Sequence, residues 1–130
     1  MRLYLDSSAL VKRYIEEDGS DAVTATMDRA AGWAACRIAY VESSRAIGQR
    51  TTGPALERFR GEWHEIAIVE VDAALTEAAA ELAIESRLRS LDALHLAAAL
   101  RIRGDDLVFV SWDTRLAAAA RASGLEVLGA

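Results

Sequence analysis

Cysteine, proline and lysine each occur once in the 130 residues, as Cys36, Pro54 and Lys12. A lone cysteine excludes an intramolecular disulfide and fits a reducing cytoplasm. The scarcity of proline goes with the lack of any linker, low-complexity tract or internal repeat, so residues 1–130 read as a single domain. No apolar run approaches the roughly 20 residues that span a bilayer, so no membrane partner is expected. The first strand-like segment meets Asp6 almost at once, which is not a signal-peptide pattern. There is no G-x-G-x-x-G and no glycine-lysine pair, which argues against dinucleotide-binding and P-loop chemistry.

What is present is a chain that can bury a core, with 52% of its residues hydrophobic. Its formal net charge is −5, which by itself argues against a nucleic-acid binder. The arrangement of charge matters more than the sum. All basic residues except Lys12 are arginine, the side chain suited to phosphate forks and paired carboxylates. If several acids share a metal pocket, bound divalent ions offset most of the excess.

Strand-like and helix-like segments alternate. Arg2 to Leu5 reads as a strand and Ser7 to Glu17 as a helix. Asp21 to Ala31 follows as a second helix after the Gly19-Ser20 break, then Trp33 to Ile38 as a strand. Ala39 to Arg50 is helical. Gly53-Pro54 opens another helix, because proline fits the first helical position. Glu65 to Val71 is a third strand, and Asp72 caps an alanine-rich helix reaching about Leu88. Ser90 opens a helix ending near Gly104. Leu107 to Ser111 is a continuous apolar run of the buried-strand type. Asp113 to Ala122 is helical and Leu125 to Leu128 is a short last strand. This alternation predicts an α/β fold, three layers with a mostly parallel central sheet and helices on both faces. In such sheets sites form beyond the carboxyl ends of strands.

Four acids stand at element boundaries. Asp6 directly follows the first strand, and Asp113 follows Leu107–Ser111. Glu42 lies just after Val41 near the start of a helix. Asp92 lies in a first helical turn beside the apolar rhythm of Leu91, Leu94 and Ala98. Each has an ordinary explanation, since aspartate is a favoured helix cap, acids suit first turns and glutamates usually face solvent. Taken together they predict convergence. Clustered carboxylates repel and raise each other's pKa, so a cation is the simplest compensation. Carboxylates and water suit Mg²⁺ or Mn²⁺, which can activate water for displacement at phosphorus. His95, one turn from Asp92, reads as a packed histidine or one that supports an acid, since hard cations prefer oxygen.

These segments resemble a known family. Leu3-Tyr4-Leu5-Asp6-Ser7-Ser8-Ala9-Leu10-Val11-Lys12 resembles the first-strand motif of the PIN domain, specifically of the VapC toxins of bacterial toxin–antitoxin pairs. Val41-Glu42-Ser43-Ser44-Arg45-Ala46, Leu91-Asp92-Ala93-Leu94-His95-Leu96-Ala97 and Phe109-Val110-Ser111-Trp112-Asp113-Thr114-Arg115-Leu116 resemble the second, third and fourth motifs, in the family's order. The resemblance implies a three-layer PIN-like fold and an endoribonuclease dependent on Mg²⁺ or Mn²⁺, usually a homodimer. It implies RNA as substrate, and inhibition by a cognate VapB-type antitoxin through which the complex binds promoter DNA. Asp6 and Asp92 would be the most direct metal ligands, with Glu42 and Asp113 completing the pocket. Ser8 and Ser111 would support them. Trp112 is bulkier than the family pattern suggests, and would narrow the cleft or meet a base.

Two other classes compete. A haloacid-dehalogenase-like phosphatase would carry a second acid where Ser8 stands, and a receiver domain would carry a late-strand lysine. A non-catalytic binding module on the same fold would have no need of all four acids. Among other residues, Trp33 and Trp63 read as core or dimer contacts, Cys36 as core and His64 as surface. Arg45, Arg50, Arg87 and Arg89 read mainly as solvated helix faces, with a phosphate-tracking role as the alternative.

Overall fold

The computed structural model describes residues 1–51 and 53–130. Among these, five strands form one sheet in the order β3-β2-β1-β4-β5, and every neighbouring pair is parallel. The strands are β1 (Arg2–Leu5), β2 (Gly32–Cys36), β3 (Ile66–Val69), β4 (Leu107–Ser111) and β5 (Glu126–Gly129). The helices are α1 (Ser7–Leu10), α2 (Ser20–Arg29), α3 (Ala39–Arg50), α4 (Pro54–Trp63), α5 (Ala73–Ser86), α6 (Ser90–Arg101) and α7 (Thr114–Ala122). No helix among the described residues is long and apolar enough to cross a membrane.

Alternating side chains of each central strand feed two separate cores, because successive residues of a strand point to opposite faces. Tyr4, Leu107 and Phe109 join the buried residues of α5, α6 and α7 on one face. Leu3, Leu5, Val108 and Val110 join those of α1 to α4 on the other. The result is the expected three-layer arrangement. A sheet buried on both faces explains why Leu107–Ser111 is continuously apolar up to its last residue.

The chain runs from β1 outward to β3, then crosses back to place β4 on the other side of β1. The carboxyl ends of β1 and β4 therefore flank the point where strand order reverses, the usual place for a ligand crevice. Leu5 pairs with Val110, and the Asp6 N–H donates to the Val110 carbonyl at 3.2 Å. Asp6 and Ser111 are thereby held side by side at one sheet edge.

Most element boundaries follow from local chemistry. Asp72 caps α5 by accepting from the Leu75 N–H at 2.8 Å, and Pro54 opens α4. The predicted Ser7–Glu17 helix is the main departure. It ends at Leu10 and tightens into a 3₁₀ turn over Val11–Arg13. Tertiary partners win there over helix propensity. The Lys12 ammonium turns in to donate to the Asp18 carbonyl at 2.6 Å and Glu17 at 3.1 Å. Arg13 reaches Glu62 on α4 and Asp28 on α2, and the Tyr14 hydroxyl also donates to Glu62.

Candidate active site

Asp6 ends β1 and caps α1, and only 2% of it is exposed. Its Oδ1 accepts from the Ala9 N–H at 2.9 Å and the Ser8 hydroxyl at 2.7 Å. Its Oδ2 accepts from the Ser111 hydroxyl at 2.5 Å. Burial pushes this carboxyl above its ordinary range, while nearby His95 and the three donors pull the other way without cancelling the effect. Asp6 is thus both the cap and the buried acid. Ser8 and Ser111 hold it as expected, and both reach further. The Ser8 hydroxyl accepts from the Trp112 N–H at 3.0 Å, and that of Ser111 from the Asp113 N–H at 3.1 Å.

Glu42 stands in the first turn of α3. Its Oε1 accepts from the Ser7 hydroxyl at 2.5 Å and pairs with His95 Nε2 at 2.8 Å. Burial works to raise this carboxyl, but the His95 hydrogen bond and charge and the Ser7 bond outweigh it and hold the group below its usual range. Asp92 occupies the first turn of α6, and Asp113 caps α7 by accepting from the Leu116 N–H at 2.9 Å. One guanidinium joins these two. Arg89 donates through Nε to Asp92 Oδ2 at 3.0 Å and through Nη2 to Asp113 Oδ2 at 2.9 Å.

The four acids are therefore tied into one network through intermediaries. Ser111 links Asp6 to the Asp113 backbone, Arg89 links Asp113 to Asp92, and His95, one turn below Asp92, links α6 to Glu42. Ser7, the residue after Asp6, donates to Glu42 and so ties the start of α1 to α3. Glu42, Arg89, Ser90, Leu91 and Asp92 line a cleft of about 310 Å³. A larger hollow of about 560 Å³ lies beside Lys12 and Arg13, where both cations are already bound to neighbouring acids and Arg58 lies over the Tyr14 ring. The chemistry favours the smaller, acid-lined cleft.

Among the described residues, no group of three or more His, Cys, Asp or Glu side chains is arranged so as to hold a metal ion as placed. The donor set nevertheless fits a hard divalent cation, since all four groups offer oxygen. A cation already sits between two of them, in the form of the Arg89 guanidinium. Asp6 Oδ2 takes a single donor and so keeps a free lone pair. Glu42 Oε2 has no hydrogen-bond partner among the described residues.

Reasoning on the sequence alone missed three parts of this site. Ser7 reads there only as the first residue of a helix, Tyr4 only as part of the strand, and Arg89 chiefly as a solvated arginine. The i, i+3 spacing of Arg89 and Asp92 is the signal that could have revealed their pairing. Nothing local could have revealed Tyr4, whose hydroxyl lies 2.9 Å from His95 Nδ1 across 91 positions. Trp112 is half-buried. Its indole packs on Gly19, where a Cβ would come within 2.7 Å of the ring, and beneath the Lys12 ammonium, 5.3 Å from the ring centre. Trp63 is buried in the core and His64 is exposed, as expected.

The model of the PIN domain matches residues 3–122, and the chain belongs to that family. Ribonuclease VapC49 of Mycobacterium tuberculosis is 32% identical over 134 residues, covering 96% of this chain and 93% of that protein. Ribonuclease VapC46 of the same species is 31% identical over 126 residues, covering 97% and 95%. Within the family the chain thus falls with the VapC proteins. The fold agrees. Mycobacterium tuberculosis VapC20, a sarcin-ricin loop cleaving toxin, aligns with a TM-score of 0.75 at 14% identity over 90% of this chain and 94% of that one. VapBC2 from Rickettsia felis, bound to a DNA fragment from its promoter, aligns at 0.69 and 14% over 100% and 99%.

Proposed function

We propose that this chain is the toxin of a type II toxin–antitoxin pair, an endoribonuclease that hydrolyses RNA phosphodiester bonds with Mg²⁺ or Mn²⁺ at Asp6, Glu42, Asp92 and Asp113. The observation that carries the reading is Asp6 and Asp113 beyond the carboxyl ends of β1 and β4, with Arg89 joining Asp113 to Asp92 and His95 joining α6 to Glu42, in a chain whose VapC relatives are named ribonucleases. We take residues 1–130 as one working domain, since a single sheet contributes to both cores.

Each residue has a distinct task. Asp6 is held rigid by three donors, so it offers its remaining Oδ2 lone pair in a fixed direction. Glu42 has Oε1 committed to Ser7 and His95, which leaves Oε2 for the cleft. Asp92 and Asp113, now bridged by Arg89, would complete the set of oxygens that hold the ion. The bound ion would supply Lewis-acid stabilisation at phosphorus and a water of lowered pKa. Arg89 lines the cleft and is largely exposed, so a phosphate there can accept its fork. The partners that go with this reading are RNA, a VapB-type antitoxin carrying promoter-DNA binding, and a second copy of the chain, all in the cytoplasm.

The test is cleavage of total cellular RNA by purified, antitoxin-free protein. Cleavage should need Mg²⁺ or Mn²⁺, leave 5′-phosphate and 3′-hydroxyl ends, and fall at least about 100-fold in Asp6→Asn. Undiminished cleavage in excess EDTA, or 2′,3′-cyclic phosphate ends, would rule the mechanism out.

A further inference from the structure

α6 buries Ala93, Leu96, Ala97, Ala98 and Ala99 toward the core, and among these small apolar residues stands one polar group, His95, only 2% exposed. A polar ring in such a row costs burial energy unless its nitrogens are bonded. Both are. Nδ1 lies 2.9 Å from the Tyr4 hydroxyl and Nε2 lies 2.8 Å from Glu42 Oε1. Tyr4 is itself fixed, lying flat against Phe109 with ring centres 5.3 Å apart and planes 6° from parallel.

The chemistry of the partners assigns the protons. An ionised carboxylate only accepts, so Nε2 must carry the hydrogen that binds Glu42. With neutral imidazole, Nδ1 is then an acceptor and the Tyr4 hydroxyl must donate to it. Burial keeps that phenol protonated by pushing it well above its ordinary range, and the neighbouring Cys36, Asp6 and Glu42 act in the same direction. The chain Tyr4 O–H to His95 to Glu42 has one direction and ends in the cleft. It spans β1, α6 and α3, of which β1 leads directly into Asp6 while α6 and α3 carry Asp92 and Glu42.

We propose that His95, oriented from behind by Tyr4, is a positioning residue that ties down Glu42 Oε1 and so leaves Oε2 as the atom Glu42 presents to the metal and its waters. This rests on Glu42 being a metal-site acid, as proposed above. The logic is that of histidines and carboxylates locked by an outer partner at metal sites, where loss of the partner weakens metal binding and rate together. Here the order is turned round, with the histidine as the outer partner and the carboxylate facing the ion.

The experiment compares Mn²⁺ binding by calorimetry, and RNA cleavage, in wild type, His95→Leu, His95→Gln, Tyr4→Phe and Glu42→Gln. His95→Leu should weaken Mn²⁺ binding about 10- to 100-fold and lower kcat with KM for RNA nearly unchanged. His95→Gln should recover most of the loss, because its amide can donate to Glu42. Placed in Glu42→Gln, the His95→Leu change should add nothing further, since the carboxylate it positions for the ion is gone even though the amide oxygen can still accept from His95. Wild-type affinity in His95→Leu, or an equal loss in both backgrounds, would overturn the inference. Should His95→Leu fail to fold by circular dichroism, Tyr4→Phe carries the same test, with a roughly 2- to 5-fold loss expected for one buried hydrogen bond and no loss overturning it. Wild-type protein that binds no Mn²⁺ at all would instead remove the reading of the site, and this inference with it.

Discussion

Arg89 is the residue whose role changes most between a linear and a folded view of the chain. Its side chain is 74% exposed, yet it donates to two of the four candidate acids. The loop beneath it is well defined. Arg87 takes a left-handed backbone at φ 54° to end α5, and Leu88 is buried. A guanidinium held between Asp92 and Asp113 competes with any divalent ion for their oxygens. Exposed ion pairs are each worth only about 0.2–1 kcal/mol, so the competition is mild and salt-sensitive. Arg89→Gln should therefore bind Mn²⁺ about 2- to 5-fold more tightly at low salt, with the advantage shrinking at high salt. Calorimetric titrations at two ionic strengths would check this. Weaker Mn²⁺ binding by the variant would mean that Arg89 orients the acids for the ion and does not compete with it.

At the scale of elements, the β4–β5 edge shows how the sheet holds the site. Gly129 pairs with Ser111 at the end of β5, and the Ala130 N–H donates to the Ser111 carbonyl at 2.9 Å. A Cβ at Gly129 would lie 1.9 Å from that carbonyl oxygen, and its φ of 126° is one that side chains rarely adopt. Gly129→Ala should cost at least about 2 kcal/mol, read as a lowered urea midpoint. It should also reduce cleavage, because the displaced residue is the one whose hydroxyl holds Asp6. A midpoint within error of wild type would show that this edge yields freely. The same elements explain what could be read in advance. Helix α3 was legible at both ends, Ala39 and Arg50, because its limits are local. So were the boundary positions of Asp6, Glu42, Asp92 and Asp113, since each stands where an element starts. The Val11–Glu17 part of the expected Ser7–Glu17 helix departs from it, because partners on α2 and α4 and at Trp112 decide its path. The Tyr4–His95–Glu42 chain was out of reach for the same reason, being made wholly of contacts between distant elements.

For the molecule as a whole, acids of opposite sign in the stability balance make a test of what Asp6 is for. Burial pushes Glu17 and Glu62 up, but Arg50 and Lys12 for the one, and Arg13 and the Tyr14 hydroxyl for the other, outweigh it and leave both below their usual range. They bind protons more weakly folded than unfolded. The stability they add is complete above about pH 4.5 and is lost as pH falls through their folded values. Asp6 works the other way. Its carboxyl is raised by burial, so folding disfavours its charge and costs stability once pH exceeds its unfolded value. In EDTA, Asp6→Asn should therefore melt at a higher temperature than wild type at pH 7, asparagine serving equally well as the α1 cap. The gap should close as pH falls through the raised folded value of Asp6 toward its ordinary carboxylate range, while both proteins lose stability through Glu17 and Glu62. Saturating Mn²⁺ should reverse the order at pH 7, because only wild type keeps the full ligand set and binding at 100 times Kd adds about 2.7 kcal/mol. Thermal scans with and without Mn²⁺ at the two pH values measure all of this. An Asp6→Asn protein that melts lower than wild type at pH 7 in EDTA would mean that the buried charge serves the fold, and that its place at the sheet edge needs no ion to explain it.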